Sequence, residues 1–185
     1  MMRSVTSFLA LAALATVDAR GAQAFELKSP DLVEGQIMPM KHVYNAFGCT
    51  GGNISPELTW TEPPAGTKSL AVLMHDPDAP TGGAGFWHWL VVDLPPTARG
   101  LKQGAGEPSG KALPAGAQQL ETDFAEKAYG GPCPPPGAPH RYIFTVYALK
   151  IATLGDAAKG RTAGAGFTIT QNALAHASLT VKFGQ

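Results

Sequence analysis

Carboxylates and imidazoles recur in this sequence at three places where an apolar run meets a loop. Asp76 and Asp78 stand in an Asp-Pro-Asp-Ala-Pro turn, His88 lies between two tryptophans, and His140 follows a loop rich in proline and glycine. An imidazole changes charge near neutral pH and holds an anion when protonated, and neighbouring carboxylates tune its pKa. If the fold brings these side chains together, they form a site that recognises a small anion.

Two of these clusters also have a purely structural interpretation. An aspartate before a proline often caps a turn through its own side chain. The loop at 130–139 serves equally as a rigid connector that leaves Arg141 in solvent, or as a frame whose glycines let backbone amides approach a ligand while its prolines keep it open. The residues alone leave both interpretations open.

The histidine between the two tryptophans can belong to a core or to a site. With a period of two, His88 shares a face with Phe86 and Leu90, and Trp87 and Trp89 share the opposite face. A histidine on an apolar face is more often a satisfied core residue than a ligand-binding one. Proximity to the acidic turn would favour the binding role.

The elements that must position these groups are short strands. Apolar runs bounded by Gly, Pro and Asn predict strands at 69–75, 87–93 and 141–149. In the last of these, alternate residues from Tyr142 carry bulk on one face and those from Ile143 carry bulk on the other, which is typical of a central strand in a sandwich. The 22 glycines and 16 prolines also favour turns and loops over helix, so the fold is predicted to be mostly β.

Two further segments complete the predicted organisation. The stretch 95–131 lacks a strand pattern and is predicted to be a long connection over the surface. Near the end of the sequence, the spacing of small and apolar residues predicts a helix over 170–179 and a closing strand over 180–183.

Charge and length limit the classes of function. Lys plus Arg and Asp plus Glu number 14 each, so no overall field attracts nucleic acid. Residues 1–24 are typical of a signal peptide, with Arg3 ahead of the apolar run 8–17 and a small-residue cleavage site that ends at Ala24. The apolar run is shorter than the roughly 18 to 20 residues that cross a bilayer. We expect a periplasmic or secreted product with one domain at 25–185 and no stable membrane insertion.

Export decides how the two cysteines are interpreted. Cys49 and Cys133 are the only possible pair, and an oxidising compartment permits a bridge between them. For the long loop that such a bridge closes, chain entropy gives roughly 4 to 5 kcal/mol, an upper figure in practice. Two unrelated buried thiols are the alternative, and we expect the disulfide.

The polar clusters, in this order, resemble the phosphatidylethanolamine-binding protein family, and in particular its bacterial Raf-kinase-inhibitor-like branch. Its Asp-Pro-Asp-x-Pro motif matches 76–80 and its Gly-x-x-His-Arg motif matches 137–141. The resemblance extends to 53–60, 64–69 and 87–89, and so covers nearly the whole of the chain after the predicted signal peptide. It implies an antiparallel β-sandwich with a few short peripheral helices and a small pocket at one end that binds phosphate-like groups.

The resemblance also implies the residues of that pocket. Carried over position by position, they are Asp76, Asp78, Pro80, His88, Cys133, Pro134, His140 and Tyr142. The backbone around Cys133 and Pro134 is expected to offer an amide to the anion, and Arg141 is expected to serve structure more than ligand contact. We further expect the carboxylates to raise the pKa of the pocket histidines, so that binding weakens as the pH rises.

The predicted function is that of an exported ligand-binding or inhibitor-like protein, not an enzyme, with no cofactor. Its expected partners are a small anionic or phosphorylated ligand and, through the loops, a protease or another protein, with no nucleic acid, and the chain is expected to be a monomer or a homodimer. A metal-assisted hydrolase that uses the Asp and His side chains is the alternative from another class. A protease inhibitor that acts through its loops is the third possibility.

Overall fold

The computed structural model describes residues 24–160 and 162–185. The predicted signal peptide therefore lies outside the described residues except for Ala24. The strands are β1 (Leu27–Lys28), β2 (Leu58–Trp60), β3 (Ser69–Asp76), β4 (Phe86–Leu94), β5 (Gly100–Leu101), β6 (Gln118–Gln119), β7 (His140–Leu149) and β8 (Ala173–Phe183). The helices are α1 (Thr162–Asn172) and two 3₁₀ turns, Met40–His42 and Gly155–Lys159.

The strands form two antiparallel sheets that pack face to face. The larger sheet has the order β6-β4-β3-β7-β8, and the smaller has the order β1-β2-β5. One apolar core lies between the sheets, and a second lies between the outer face of the large sheet and α1, where Ala165 and Ile169 are fully buried. The mostly β, antiparallel sandwich predicted from the sequence is confirmed.

Strand β7 lies between β3 and β8 and is covered on both sides, as its alternating bulk predicts. Tyr142, Phe144 and Val146 belong to the core between the sheets and have no exposed surface. Leu149 and Tyr147 pack into the core beneath α1. Burial on both faces fixes the register of β7, because a slip by one residue would exchange its two sets of side chains.

The side chains of β4 do not alternate between the two faces of the sheet as predicted. His75 on β3 pairs with Trp87, and the preceding Met74 pairs with Trp89, so His88 is an extra residue on β4. Such a bulge resets the alternation of side chains. Trp87 therefore packs with Leu90 beneath α1, and His88 turns to the side of the sheet that carries Trp89.

The predicted helix over 170–179 is wrong in its bounds. The helix lies earlier, at Thr162–Asn172, and the strand begins at Ala173 and pairs with β7 as far as Phe183. The residues of this segment are small, so their spacing fits either a helix or a strand. Pairing with a long buried neighbour decides in favour of the strand, a case of tertiary contacts overriding local preference.

The long connection over 95–131 is confirmed, apart from the two-residue strands β5 and β6. The disulfide between Cys49 and Cys133 is present, with 5.9 Å between the two Cα atoms. It links the loop after the first 3₁₀ turn to the proline-rich loop before β7. Within the described residues, no helix has the length and apolar character needed to cross a membrane.

Two glycines give opposite expectations for the same substitution. A Cβ at Gly131 would lie 2.1 Å from the carbonyl oxygen of His42 and 2.6 Å from the amide nitrogen of Tyr44, and backbone atoms cannot move aside cheaply. At Gly164, inside α1, a Cβ meets no atom within 4 Å. Gly131→Ala should lower the free energy of unfolding by about 2–4 kcal/mol. Gly164→Ala should raise it by about 0.5–1 kcal/mol, because alanine favours helix. Chemical denaturation of both variants checks this, and a neutral Gly131→Ala would contradict the close packing of the two loops.

Candidate functional site

A cavity of about 530 Å³ opens at the end of the large sheet where β3 ends and β4 and β7 begin. Its polar wall carries the side chains of Asp76, Thr81, His88, Asp123, His140 and Tyr142. Its apolar wall is formed by Phe47, Ala79, Pro80, Phe86, Phe124, Ala125, Cys133, Pro134 and Pro135. Of the eight residues expected at the site, seven line this cavity, and Asp78 does not.

Asp76 organises the polar wall. Asp76 is the last residue of β3, and it is almost fully buried. Its Oδ1 accepts a hydrogen bond of 2.8 Å from the amide of Asp78, and its Oδ2 lies 2.8 Å from Nδ1 of His140. Because a carboxylate accepts, Nδ1 of His140 carries the hydrogen, and Nε2 is the ring nitrogen that remains for a ligand.

His88 is held by backbone rather than by a carboxylate. Its Nδ1 lies 2.8 Å from the carbonyl oxygen of Gly130, and Gly130 in turn donates its amide to the carbonyl oxygen of His88. Burial lowers the pKa of His88 to about 4, and the attraction of the Asp76 carboxylate does not offset it. The expectation that carboxylates raise the pKa of this histidine is therefore wrong, because desolvation of the ring outweighs the nearby charge.

The hydroxyl of Tyr142 is buried and unpartnered. The side chain has no exposed surface, and within residues 24–160 and 162–185 its hydroxyl forms no hydrogen bond. Burial, with the negative charge of Asp76 and its carboxylate close enough to attract the hydroxyl hydrogen, raises the pKa of Tyr142 well above its usual range, so the phenol keeps its proton. The approach to Asp76 falls short of hydrogen-bond geometry. A buried donor without a partner costs about 1–3 kcal/mol, and a ligand acceptor in the cavity would remove that cost.

The proline-rich loop contains one backbone N–H group next to the cavity, that of Cys133. Cys133 is the only residue of 132–136 that has an N–H group, since the other four are prolines. Within the described part of the chain this amide donates no hydrogen bond. The disulfide to Cys49 and the packing of Gly131 against the backbone of His42 hold the loop in place.

Aromatic side chains form a rim that the sequence analysis did not anticipate. Phe124 stacks on Tyr44 at 4.5 Å and meets Phe86 edge-on at 4.8 Å between ring centroids. Phe47 lies beside them and is 80% exposed, an unusual position for so large an apolar side chain. Phe47 and Phe124 come from loops without a pattern of their own, so only their aromatic character could have marked them.

Asp78 has a structural role beside the cavity, where it binds Arg141. Its carboxylate accepts from Nε and Nη2 of Arg141 at 2.9 and 2.7 Å, and from the backbone amide of Arg141 at 2.9 Å. The Arg141 guanidinium lowers the pKa of Asp78 to about 2. This bidentate pair ties the acidic turn to the first residues of β7 and faces a neighbouring groove that Lys182 also lines. The structural role expected for Arg141 matches these contacts.

The arrangement has limits as a metal centre. Among the residues that the structure describes, no group of three His, Cys, Asp or Glu side chains is placed to hold a metal ion. The oxygen atoms of Asp76 are both engaged, and each histidine has one ring nitrogen engaged by an acceptor. Among the residues that line the cavity, the groups left without a hydrogen bond in the described chain are the Tyr142 hydroxyl, the Cys133 amide and one ring nitrogen each of His88 and His140.

A β-sandwich with a cavity of polar and apolar walls at one end of its large sheet is an architecture suited to ligand binding. The chain matches the family model of phosphatidylethanolamine-binding proteins over residues 28–184. It is 48% identical over 159 residues to the UPF0098 protein YbhB of Escherichia coli, which covers 85% of this chain and 99% of YbhB. The protein belongs to the phosphatidylethanolamine-binding protein family.

Two further relatives extend the comparison. The crystal structure of YbcL of Escherichia coli, described there as a member of the mammalian PEBP family, superposes with a TM-score of 0.83 at 42% identity and covers 87% of this chain and 98% of YbcL. LppC of Mycobacterium tuberculosis, named as a candidate lipoprotein, is 36% identical over 139 residues, which is 75% of this chain and 62% of LppC.

Two buried tyrosines test the unpartnered hydroxyl. Tyr142→Phe should raise the free energy of unfolding by about 1 kcal/mol in the absence of ligand, because it removes a donor that has no acceptor. Tyr129 is equally buried, but its hydroxyl donates to the carbonyl oxygen of His42 at 2.8 Å. Tyr129→Phe should therefore lower the free energy of unfolding by about 1 kcal/mol. Urea denaturation of both variants gives the comparison, and a loss of similar size in both would mean that Tyr142 has a partner.

The stability of the fold should depend on pH through His88. Its pKa is about 4 in the folded chain against 6.5 in the unfolded chain, so on acidification the unfolded chain binds the proton first. The contribution is complete above pH 6.5 and is lost as the pH falls toward 4, a change of about 3 kcal/mol. His42, whose pKa burial also lowers, acts in the same direction.

His88→Gln separates the two histidines. The variant should keep only the shallower dependence that comes from His42, whereas Asp78, with its pKa of about 2, acts in a more acidic range. Denaturation curves at pH 4.5 to 7.5 measure the difference. Parallel curves for the variant and the wild type would show that His88 is protonated at its ordinary pKa.

Proposed function

We propose that this protein is an exported, non-enzymatic binding protein that holds a small phosphate-type oxyanion in the cavity between Asp76, His88, His140 and Tyr142. The observation that carries the proposal is the buried hydroxyl of Tyr142, a residue of the cavity wall, which forms no hydrogen bond of good geometry within the described chain although it lies near the Asp76 carboxylate. An oxyanion supplies an acceptor for this hydroxyl. Hydrogen bonds to a charged acceptor are worth about 1.5–3 kcal/mol each, enough to favour the bound state.

The remaining donors support the same ligand. The Cys133 amide lies in the cavity wall on a loop that its prolines and its disulfide keep in one conformation. His140 adds a second donor, and a positive charge, when its Nε2 is protonated, and the adjacent Asp76 carboxylate is the counter-ion for that charge. Three donors of different kinds around one cavity suit the several oxygen atoms of a phosphate group.

The aromatic rim indicates what the rest of the ligand is like. Phe47, Phe86 and Phe124 lie around the apolar side of the cavity. Exposed aromatic surface of this kind is typical of binding sites rather than of free surface. An organic group attached to the phosphate, rather than a free ion alone, would bury this surface.

Export is part of the proposal. The disulfide anchors Cys133, which lines the cavity, and disulfides persist in oxidising compartments such as the periplasm. The name of the mycobacterial relative LppC points in the same direction, since a lipoprotein is an exported protein. Residues 1–24 have the composition of a signal peptide.

The test is a titration of the disulfide-bonded protein with phosphate and with phosphoethanolamine, followed by NMR at the histidine ring signals. We expect saturable shifts at His88 and His140 and none at His75, which stacks on Trp87 outside the cavity wall. Tyr142→Phe should weaken binding by about 10- to 100-fold, because it removes a hydrogen bond to an anion.

His75→Ala is the matched control for His88→Ala and His140→Ala. It should leave the affinity unchanged, whereas each cavity variant should abolish the saturable shifts. If the wild type shows no shift at either cavity histidine, the oxyanion proposal is wrong. Equal losses in all three variants would point to a general effect on folding, and the unfolding curves of the variants decide that case.

A further inference from the structure

We infer that the oxyanion held in this cavity carries a hydrogen of its own, so that the site takes phosphate or the protonated form of a phosphomonoester and rejects sulfate and other fully ionised oxyanions. The inference rests on the proposed function and adds the chemical class of the ligand to it. It follows from which hydrogen-bonding positions around the cavity remain free once the protein's own bonds are assigned.

His88 presents an acceptor to the ligand. The carbonyl oxygen of Gly130 can only accept, so the hydrogen of the neutral ring must sit on Nδ1, which lies 2.8 Å from that oxygen. Nε2 is then a bare lone pair, and no hydrogen bond within the described chain occupies it. A ligand that fills the cavity must donate to this nitrogen or leave it unpaired.

Burial, and not the charges that face His88, keeps the ring neutral, because desolvation lowers its pKa more than the surrounding groups raise it. Asp76 on β3 acts on the ring with a negative charge that favours the protonated form, His75 has the opposite effect, and Tyr142 and His140 on β7 complete its polar surroundings. Both oxygen atoms of Asp76 are engaged by the amide of Asp78 and by His140. The carboxylate repels a fully ionised ligand, and its effect on a ligand that carries one proton more is weaker.

The site therefore demands a ligand that both accepts and donates. Tyr142 and the Cys133 amide donate, so part of the ligand must accept. His88 accepts, so another part must donate. Phosphate keeps a P–OH group at neutral pH and meets both demands, whereas sulfate and phosphodiesters have no hydrogen on their oxyanion. Leaving one buried acceptor unpaired costs about 1–3 kcal/mol, a discrimination of roughly 5- to 150-fold.

The proton on the ligand can be separated from protons on the protein by comparing three probes at two pH values. Inorganic phosphate keeps a P–OH group at both pH 5.5 and pH 8. Methyl phosphate has a second pKa of about 6 and loses its last P–OH group across that range. Sulfate has none at either pH. Because the free protein titrates identically in every experiment, its own protonation cancels in the ratio of two affinities. Inorganic phosphate and methyl phosphate both gain one negative charge across this range, so their ratio isolates the loss of the last P–OH group.

We expect the affinity for methyl phosphate, relative to inorganic phosphate, to fall at least fivefold between pH 5.5 and pH 8. Sulfate should bind at least fivefold more weakly than phosphate at both pH values, at equal ionic strength. Calorimetric or NMR titration of the disulfide-bonded protein measures all three. A constant ratio, or sulfate bound as tightly as phosphate, would overturn the inference and leave the proposed function standing. If none of the three probes binds, it is the proposed function that fails.

His88→Gln provides an independent check. A glutamine amide can donate as well as accept, so the variant should bind sulfate and phosphate with affinities that differ less than threefold. His75→Gln, at the neighbouring position on β3 and outside the cavity wall, should keep the discrimination of the wild type. Retained discrimination in His88→Gln would overturn the role given to His88. If that variant does not fold, the ratios measured on the wild type still decide the inference.

Discussion

The large sheet is buried on both faces, and this constraint shapes everything else in the molecule. One face packs on the smaller sheet and the other packs on α1, so the strands in the middle of the sheet carry apolar side chains almost throughout. Polar side chains are then confined to the places where strands begin and end. Asp76, His88 and His140 occupy such positions at the same end of three neighbouring strands, and the cavity forms there.

Much of the layered architecture could be predicted because the residue pattern of β7 shows that both faces of this strand are buried. Its two bulky faces require two covering layers, and the structure supplies both. The reversal around His88 could not be predicted, since a bulge depends on the pairing between β3 and β4 and leaves the residue pattern of β4 unchanged. The start of β8 was missed for a related reason. Its small residues fit helix or strand, and only the pairing with β7 distinguishes them.

The candidate site was likewise only partly predictable. Its residues follow from the sequence, whereas their hydrogen bonds follow only from the structure. Motif resemblance supplied the cavity side chains, but it did not tell which of them are already engaged by the protein. The carboxylate of Asp78 accepts hydrogen bonds from Arg141, and the ring N–H of His88 donates to the carbonyl oxygen of Gly130. The aromatic rim was missed because Phe47 and Phe124 stand in irregular loops, where neither period nor motif marks a residue. The donors and acceptors that remain free for a ligand can be identified only after the contacts within the protein are known.

The disulfide between Cys49 and Cys133 joins two loops beside the cavity that are 84 residues apart in the sequence. One loop carries Phe47 to the rim, and the other carries the single free amide of the proline-rich segment. Ordering two such loops around a ligand would cost conformational entropy at every binding event if they were independent. With the disulfide in place, much of this entropy is lost when the disulfide forms and not when a ligand binds. For a binding protein of the kind proposed, the two loops are consequently ordered once, when the disulfide forms, and binding of a ligand does not have to order them again.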